Sequence, residues 1–291
     1  MNVISAKVFC CLILWFILVP STRMSAQTFS SGNSVRDELF MYEVKSVDEF
    51  IERFDDDPSS FIRKEFQKQN RQFLLTRAEL LISLFNLDNN WVNDSVEIKG
   101  FIRQAIDKKR PQYIYFKDTG WYAEARCVFI YNEKLVEIPL ILHIKNEING
   151  AKWMINGIGN DIFFEGDNLV TEPVPVSKSS SNKKYISTTG HATNFVELHN
   201  VFSDSMEPYN YFDPQLLAAK KARLFVQLIL QGKITFQYVK NIKYHFYQMP
   251  GWIFEVQQFE RENINSGWLI SSIKKVTKSE KEIYRRKLLH T

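Results

Sequence analysis

Apolar and polar positions follow two different periods along this chain. Between residues 47 and 106 the apolar positions recur every three to four residues. They form three sets: Val47, Phe50, Ile51 and Phe54; Ala78, Leu81, Ile82 and Phe85; Phe101, Ile102, Ala105 and Ile106. That spacing lays one apolar stripe along each of three helices. Ser46 with Glu49, and Thr76 with Glu79, have the Ser/Thr-x-x-Glu form. In that form two side chains satisfy free amides of a first helical turn, so helices are predicted to start there. Asp55-Asp56-Asp57-Pro58 and Lys108-Lys109-Arg110-Pro111 end the first and third helices.

From residue 113 the pattern changes to that of strands. Tyr113–Lys117, Trp121–Tyr131, Leu135–Lys145 and Lys152–Ile158 are rich in aromatic and β-branched residues, with turn residues at Asp118-Thr119-Gly120, Asn132-Glu133 and Asn149-Gly150. Val136, Ile138, Leu140, Leu142 and Ile144 alternate with Glu137, Pro139, Ile141 and His143, which predicts one buried face and one mixed face. The second half repeats the order. Asp213-Pro214 starts a helix with the stripe Ala218, Ala222, Phe225, Val226 and Ile229, and Gly232 closes it. Strands are predicted at Thr235–Val239, Lys243–Gln248, Trp252–Glu260 and Trp268–Val276. Helices followed by antiparallel strands make an α+β class.

Residues 166–184 are rich in Pro, Ser and Lys and read as a linker. The expected organisation is therefore a first α+β domain over 27–165, the linker, a second and shorter α+β domain over 185–278, and a basic tail over 279–291. The first 26 residues stand apart. Lys7 precedes the apolar run Val8–Val19, and Met24-Ser25-Ala26 ends in a small residue. This has the form of a secretory signal cleaved after Ala26; the run is shorter than the roughly 20 residues of a spanning helix. Retention as an anchor is the alternative.

Composition adds little beyond this. A formal net charge of +4, of which Lys7 and Arg23 would leave with the signal, does not point to nucleic acid. Cys127 is the one cysteine beyond the signal, so no internal disulfide is expected, and a periplasmic or cell-surface location fits better than a small secreted scaffold.

The two halves share landmarks. Tyr113 stands eight residues before Trp121 in Gly-Trp-Tyr-Ala-Glu124; Tyr244 stands eight before Trp252 in Gly-Trp-Ile-Phe-Glu255. Trp153-Met154-Ile155 is echoed by Trp268-Leu269-Ile270. This suggests an internal repeat in which Trp121 and Trp252 begin equivalent strands.

Helices before a long antiparallel sheet, with the segments FIERF (50–54), LLISLFN (80–86), GWYAE (120–124) and KWMI (152–155), resemble the NTF2-like (cystatin-like) superfamily. The resemblance covers roughly 45–160, and more loosely 210–276, and extends to exported bacterial proteins of that superfamily. It implies two tandem NTF2-like domains, each with N-terminal helices packed on a curved antiparallel sheet and a cone-like pocket between the two layers. Some members use that pocket for isomerase or dehydratase chemistry, and others use the sheet face for dimerisation or assembly. These segments are marks of a fold and do not choose among activities.

For such a pocket the candidate ligand-binding residues are Tyr113, Tyr115, Trp121, Glu124 and His143, with Asp118 a further polar group. A carboxyl or imidazole on apolar walls would have a shifted pKa suited to proton transfer; an exposed ion pair on a half-open sheet is the plainer reading of Glu124 and of His143. His191, Glu197 and His199 lack the spacing of a metal motif, and Cys127 lies in a strand as a small apolar residue. No nucleophile elbow, phosphate loop or dinucleotide fingerprint occurs. No catalytic residue, metal or cofactor is assigned. The basic tail, with Lys278, Lys281, Arg285, Arg286 and Lys287, could touch an anionic membrane surface. The expected role is a non-enzymatic binding or assembly protein of the cell envelope, with an envelope protein or a second copy as partner. The alternative is a carrier or enzyme for a small apolar ligand.

Overall fold

The computed structural model describes residues 43–68, 75–86, 95–148, 150–159, 185–204, 207–260 and 265–290. The signal-like segment 1–26 and the linker 166–184 lie outside them. Four helices come first: α1 (Val47–Asp55), α2 (Phe61–Lys68), α3 (Arg77–Ser83) and α4 (Ser95–Ala105). The meander β1 (Trp121–Tyr131), β2 (Lys134–Glu147), β3 (Gly150–Ile158) follows, then the short β4 (Ile186–Ser187). Helices α5 (Pro214–Leu217) and α6 (Lys220–Leu230) precede a second meander, β5 (Ile234–Phe246), β6 (Trp252–Phe259), β7 (Gly267–Lys275), and α7 (Lys278–Leu289) comes last. Among the described residues no helix is long and apolar enough to cross a membrane.

The architecture is α+β with one curved, open antiparallel sheet of seven strands, ordered β4-β3-β2-β1-β5-β6-β7. Two tandem domains, each with its own sheet, are not shown. The first strand of each meander pairs with the other: β1 runs antiparallel to β5 from Trp121↔Phe246 to Tyr131↔Ile234. The order therefore reads alike from the centre outward, with β1 matched to β5, β2 to β6 and β3 to β7. Trp153 and Trp268 fall on matched strands. Trp121 and Trp252 begin strands that flank β5 on either side, which is not the match their spacing suggests.

Local sequence accounts for most elements. Ser46 accepts a hydrogen bond from the Glu49 amide, while the Glu49 carboxylate turns to the Lys45 amide and to Arg53. The Thr76–Glu79 box is complete. The predicted strand at Tyr113–Lys117 is irregular chain, because side chains take its backbone groups. Ile114 donates to Asp55, and the Gln248 amide both donates to and accepts from the Tyr115 backbone at 2.8 Å. The two predicted strands across 235–248 are one strand, β5, whose register shifts twice against β1. Of the three Gly-Trp pairs, Gly251 and Gly267 have positive φ, +73° and +90°; Gly120 is needed for room, since a Cβ there would lie 2.7 Å from Gln248 Cγ.

One face of the sheet carries the core. Trp121, Phe246 and Phe254, register partners on β1, β5 and β6, form a ladder of near-parallel rings with centroids 5.2 and 4.8 Å apart. Phe54 stacks on Phe254, and Phe101 meets Phe254 and Trp252 edge-on. Phe129, Phe202, Phe225 and Phe236 pack likewise at the other end. The region where the resemblance implies a pocket is thus packed with rings from α1, α4, α6 and the strands. The opposite face is covered in part by α7.

Candidate functional site

Alternation along β1, β5 and β6 puts Tyr122, Glu124, Lys243, His245, Tyr247 and Glu255 on the face away from the core. α7 lies over them. Its start is fixed by a complete capping box between Thr277 and Glu280, and its end seats Leu289 against Tyr122 and Ile141. The chain approaches closely here: a Cβ on Gly157 would lie 3.1 Å from both Ile141 and the Leu289 carbonyl.

Under the helix a chain of hydrogen bonds crosses three strands. His245, 2 % exposed, places Nε2 3.0 Å from Glu124 Oε2 and Nδ1 3.1 Å from the Tyr284 hydroxyl. Tyr284 donates its one hydroxyl proton to Glu255 Oε1 at 2.6 Å, so its oxygen is left to accept from Nδ1. Lys243 lies 3.2 Å from Glu255, and Arg126 lies 3.6 Å from Glu124. Glu124 and Glu255, each three residues after its Trp in the first two Gly-Trp pairs, thus bracket one histidine, with Glu255 directly opposite His245 in register.

Burial alone would raise both carboxyls. For Glu124 the bond and charge of His245, with Lys243 and Arg126, outweigh it and hold the carboxyl below the ordinary range. For Glu255 the Tyr284 bond, His245 and Lys243 do the same. A depressed carboxyl pKa stabilises the fold above the unfolded-state value, about 4.3, and that stability is lost as pH falls through the folded value. The midpoint of thermal unfolding is therefore expected to fall as pH drops from 4 toward 2, and the fall should be shallower in Glu124→Gln. An equal acid slope in variant and parent would contradict this.

Beside the network, between α7 and the strands, is a pocket of about 310 Å³. Tyr122 and Tyr247 meet edge-on at 5.6 Å and form its base; Lys278, Lys281, Glu282 and Arg285 come from the helix. Arg285 is held by Glu282 at 2.7 Å and contacts Tyr122. Lys281 donates to the Tyr247 and Met249 carbonyls, both at 2.6 Å. The Tyr247 hydroxyl is shielded from solvent and has no hydrogen-bond partner among the described residues. A second cavity, about 430 Å³, opens where β5 and β6 diverge, lined by Lys240, Asn241, Gln257, Gln258 and Trp268 among others.

The residues expected to line a single pocket are divided among several places. Trp121 is fully buried in the core, its Nε1 donating to the Phe116 carbonyl. Tyr113 is half-exposed under the Arg77 guanidinium, and Tyr115 is 61 % exposed. Glu124 belongs to the network. His143 shares its face, its ring parallel to Tyr122 and its Nε2 3.4 Å from Asp213, the cap of α5. Burial holds its pKa below the usual range although Asp213 pulls the other way. His245, Tyr247, Glu255 and Tyr284 share no motif in the sequence; the recurring glutamates are the signal that points to them. His191 bonds Asp48 at 2.7 Å, Glu197 accepts from the Ser187 amide, and His199 meets Phe236, so that trio does not converge. Among the described residues no group of three or more His, Cys, Asp or Glu could hold a metal. Cys127 is fully buried, and burial pushes its thiol pKa far up. Comparison with protein-family models, curated proteins and solved structures gave no match.

Proposed function

We propose that this chain is an exported, non-enzymatic binding protein of the bacterial cell envelope that works through the sheet face covered by α7. One observation carries binding over catalysis: the acids and bases under α7 are joined to one another. Glu124, His245, Tyr284 and Glu255 form one hydrogen-bonded chain that fastens the helix to the sheet, so these groups serve to hold a site rather than to act on a ligand. The alternative, an isomerase- or dehydratase-like enzyme using a pocket between helices and sheet, is weakened by the aromatic packing of that region.

Two meanders, each preceded by helices, support the finer reading of two NTF2-like halves fused edge to edge into one sheet. Assembly with a second copy is a further reading. It is favoured by Ile130, Leu135 and Tyr238, which share the outer face and are 37, 69 and 54 % exposed. Export rests on the form of the first 26 residues. Expression in a bacterium, fractionation and N-terminal sequencing test it: the expected product lies outside the inner membrane and begins at Gln27. Product in the cytosol still beginning at Met1 would overturn the reading.

A further inference from the structure

We infer that the pocket between α7 and the sheet binds a small carboxylate bearing an aromatic ring. This deepens the binding reading above and rests on it. The walls are chiefly carbon, made of the rings of Tyr122 and Tyr247 and the stems of lysine and arginine side chains. A planar apolar body fits such walls by edge-to-face and stacked contact. A phosphate, hydrated on every side, would leave them without a partner.

The charges are set for one anion. Glu282 pairs with Arg285 and also reaches Arg286, so that acid is taken. Lys278 and Lys281 line the same pocket with no carboxylate within ion-pair distance among the described residues. Lys281 is part-buried, and among the described residues its ammonium is met by two main-chain carbonyls, which take two of its three N–H groups. A half-desolvated cation beside aromatic walls matches the two ends of an aromatic acid.

The test titrates the purified exported chain with 2-naphthoate, 2-naphthamide and inorganic phosphate, following affinity by calorimetry and the ligand itself by proton NMR. Naphthoate is expected to bind, with the neutral amide and phosphate each about tenfold weaker or more, as loss of one charge-assisted hydrogen bond implies. Lys281→Met should weaken naphthoate about tenfold. Because Lys281 also holds two carbonyls, Lys278→Met serves as a companion that leaves those bonds in place; it should weaken naphthoate roughly threefold or more with an unchanged circular dichroism spectrum. Equal binding of acid and amide, phosphate binding as tight as naphthoate, unchanged affinity in both variants, or no binding would overturn the site and leave the binding-protein reading standing. Conversion of naphthoate to a new species would overturn the non-enzymatic reading and leave the site standing.

Discussion

Trp121→Ala is expected to cost about 3–5 kcal/mol and to lower a single unfolding transition shared by both halves of the chain. The indole is fully buried, stacked on Phe246 at 5.2 Å and edge-on to Trp153 at 5.1 Å, and it donates to the Phe116 carbonyl. Its removal opens a cavity at the centre of the ring ladder, and the stacked partners on β5 and β6 lose their support with it. Because β1 and β5 pair along their whole contact, the loss propagates to both meanders. Urea unfolding followed by circular dichroism and by fluorescence should give coincident curves with one lowered midpoint. Two transitions, one of them unmoved, would mean that the halves fold as separate units.

Arg77→Met is expected to cost about 3–4 kcal/mol, since hydrogen bonds to a charged group are each worth about 1.5–3 kcal/mol and do not add fully. The Arg77 guanidinium donates to the carbonyls of Phe54, Ala105 and Gln112, so it ties the ends of α1 and α4 to the chain that leads into β1. It also lies 4.4 Å from the centre of the Tyr113 ring. Positive charge at two helix C-termini is favoured by their dipoles. Arg77→Lys keeps the charge without the fork and should recover less than half of the loss. Full recovery by Lys would show that charge, not geometry, fastens the helices. Asp55 sits close by. Burial pushes its carboxyl up to about 7, against the Ile114 hydrogen bond and the Arg77 charge, which act to lower it. A raised carboxyl contributes stability that is present below about pH 4 and lost as pH rises through 7, opposite in sign to the glutamates under α7.

These elements show what local pattern can and cannot reveal. The stripe of α1, the Thr76 box of α3 and the strict alternation of β2 each depend on residues near in sequence, and they are legible there. The pairing of β1 with β5 joins segments more than a hundred residues apart and leaves no local mark. The strand-like Tyr113–Lys117 is diverted by Asp55 and Gln248, whose proximity only the fold creates. α7 resembles a solvated basic tail because few of its residues are apolar. It docks instead through the Tyr284 hydroxyl, the Lys281 ammonium and Leu289, although the Thr277–Glu280 box marks its start. Glu124 was visible as a candidate, but the histidine it serves lies on another strand, and the tyrosine that completes the chain lies on the last helix.

The central claim is that the functional face is the one beneath α7. The most direct measurement maps the backbone amide shifts of the isotope-labelled chain during titration with 2-naphthoate. The account predicts changes confined to Thr119–Tyr122, Tyr247 and Lys278–Arg285. Changes centred on the aromatic core around Phe101 and Phe254, or on the cleft between β5 and β6, would contradict it.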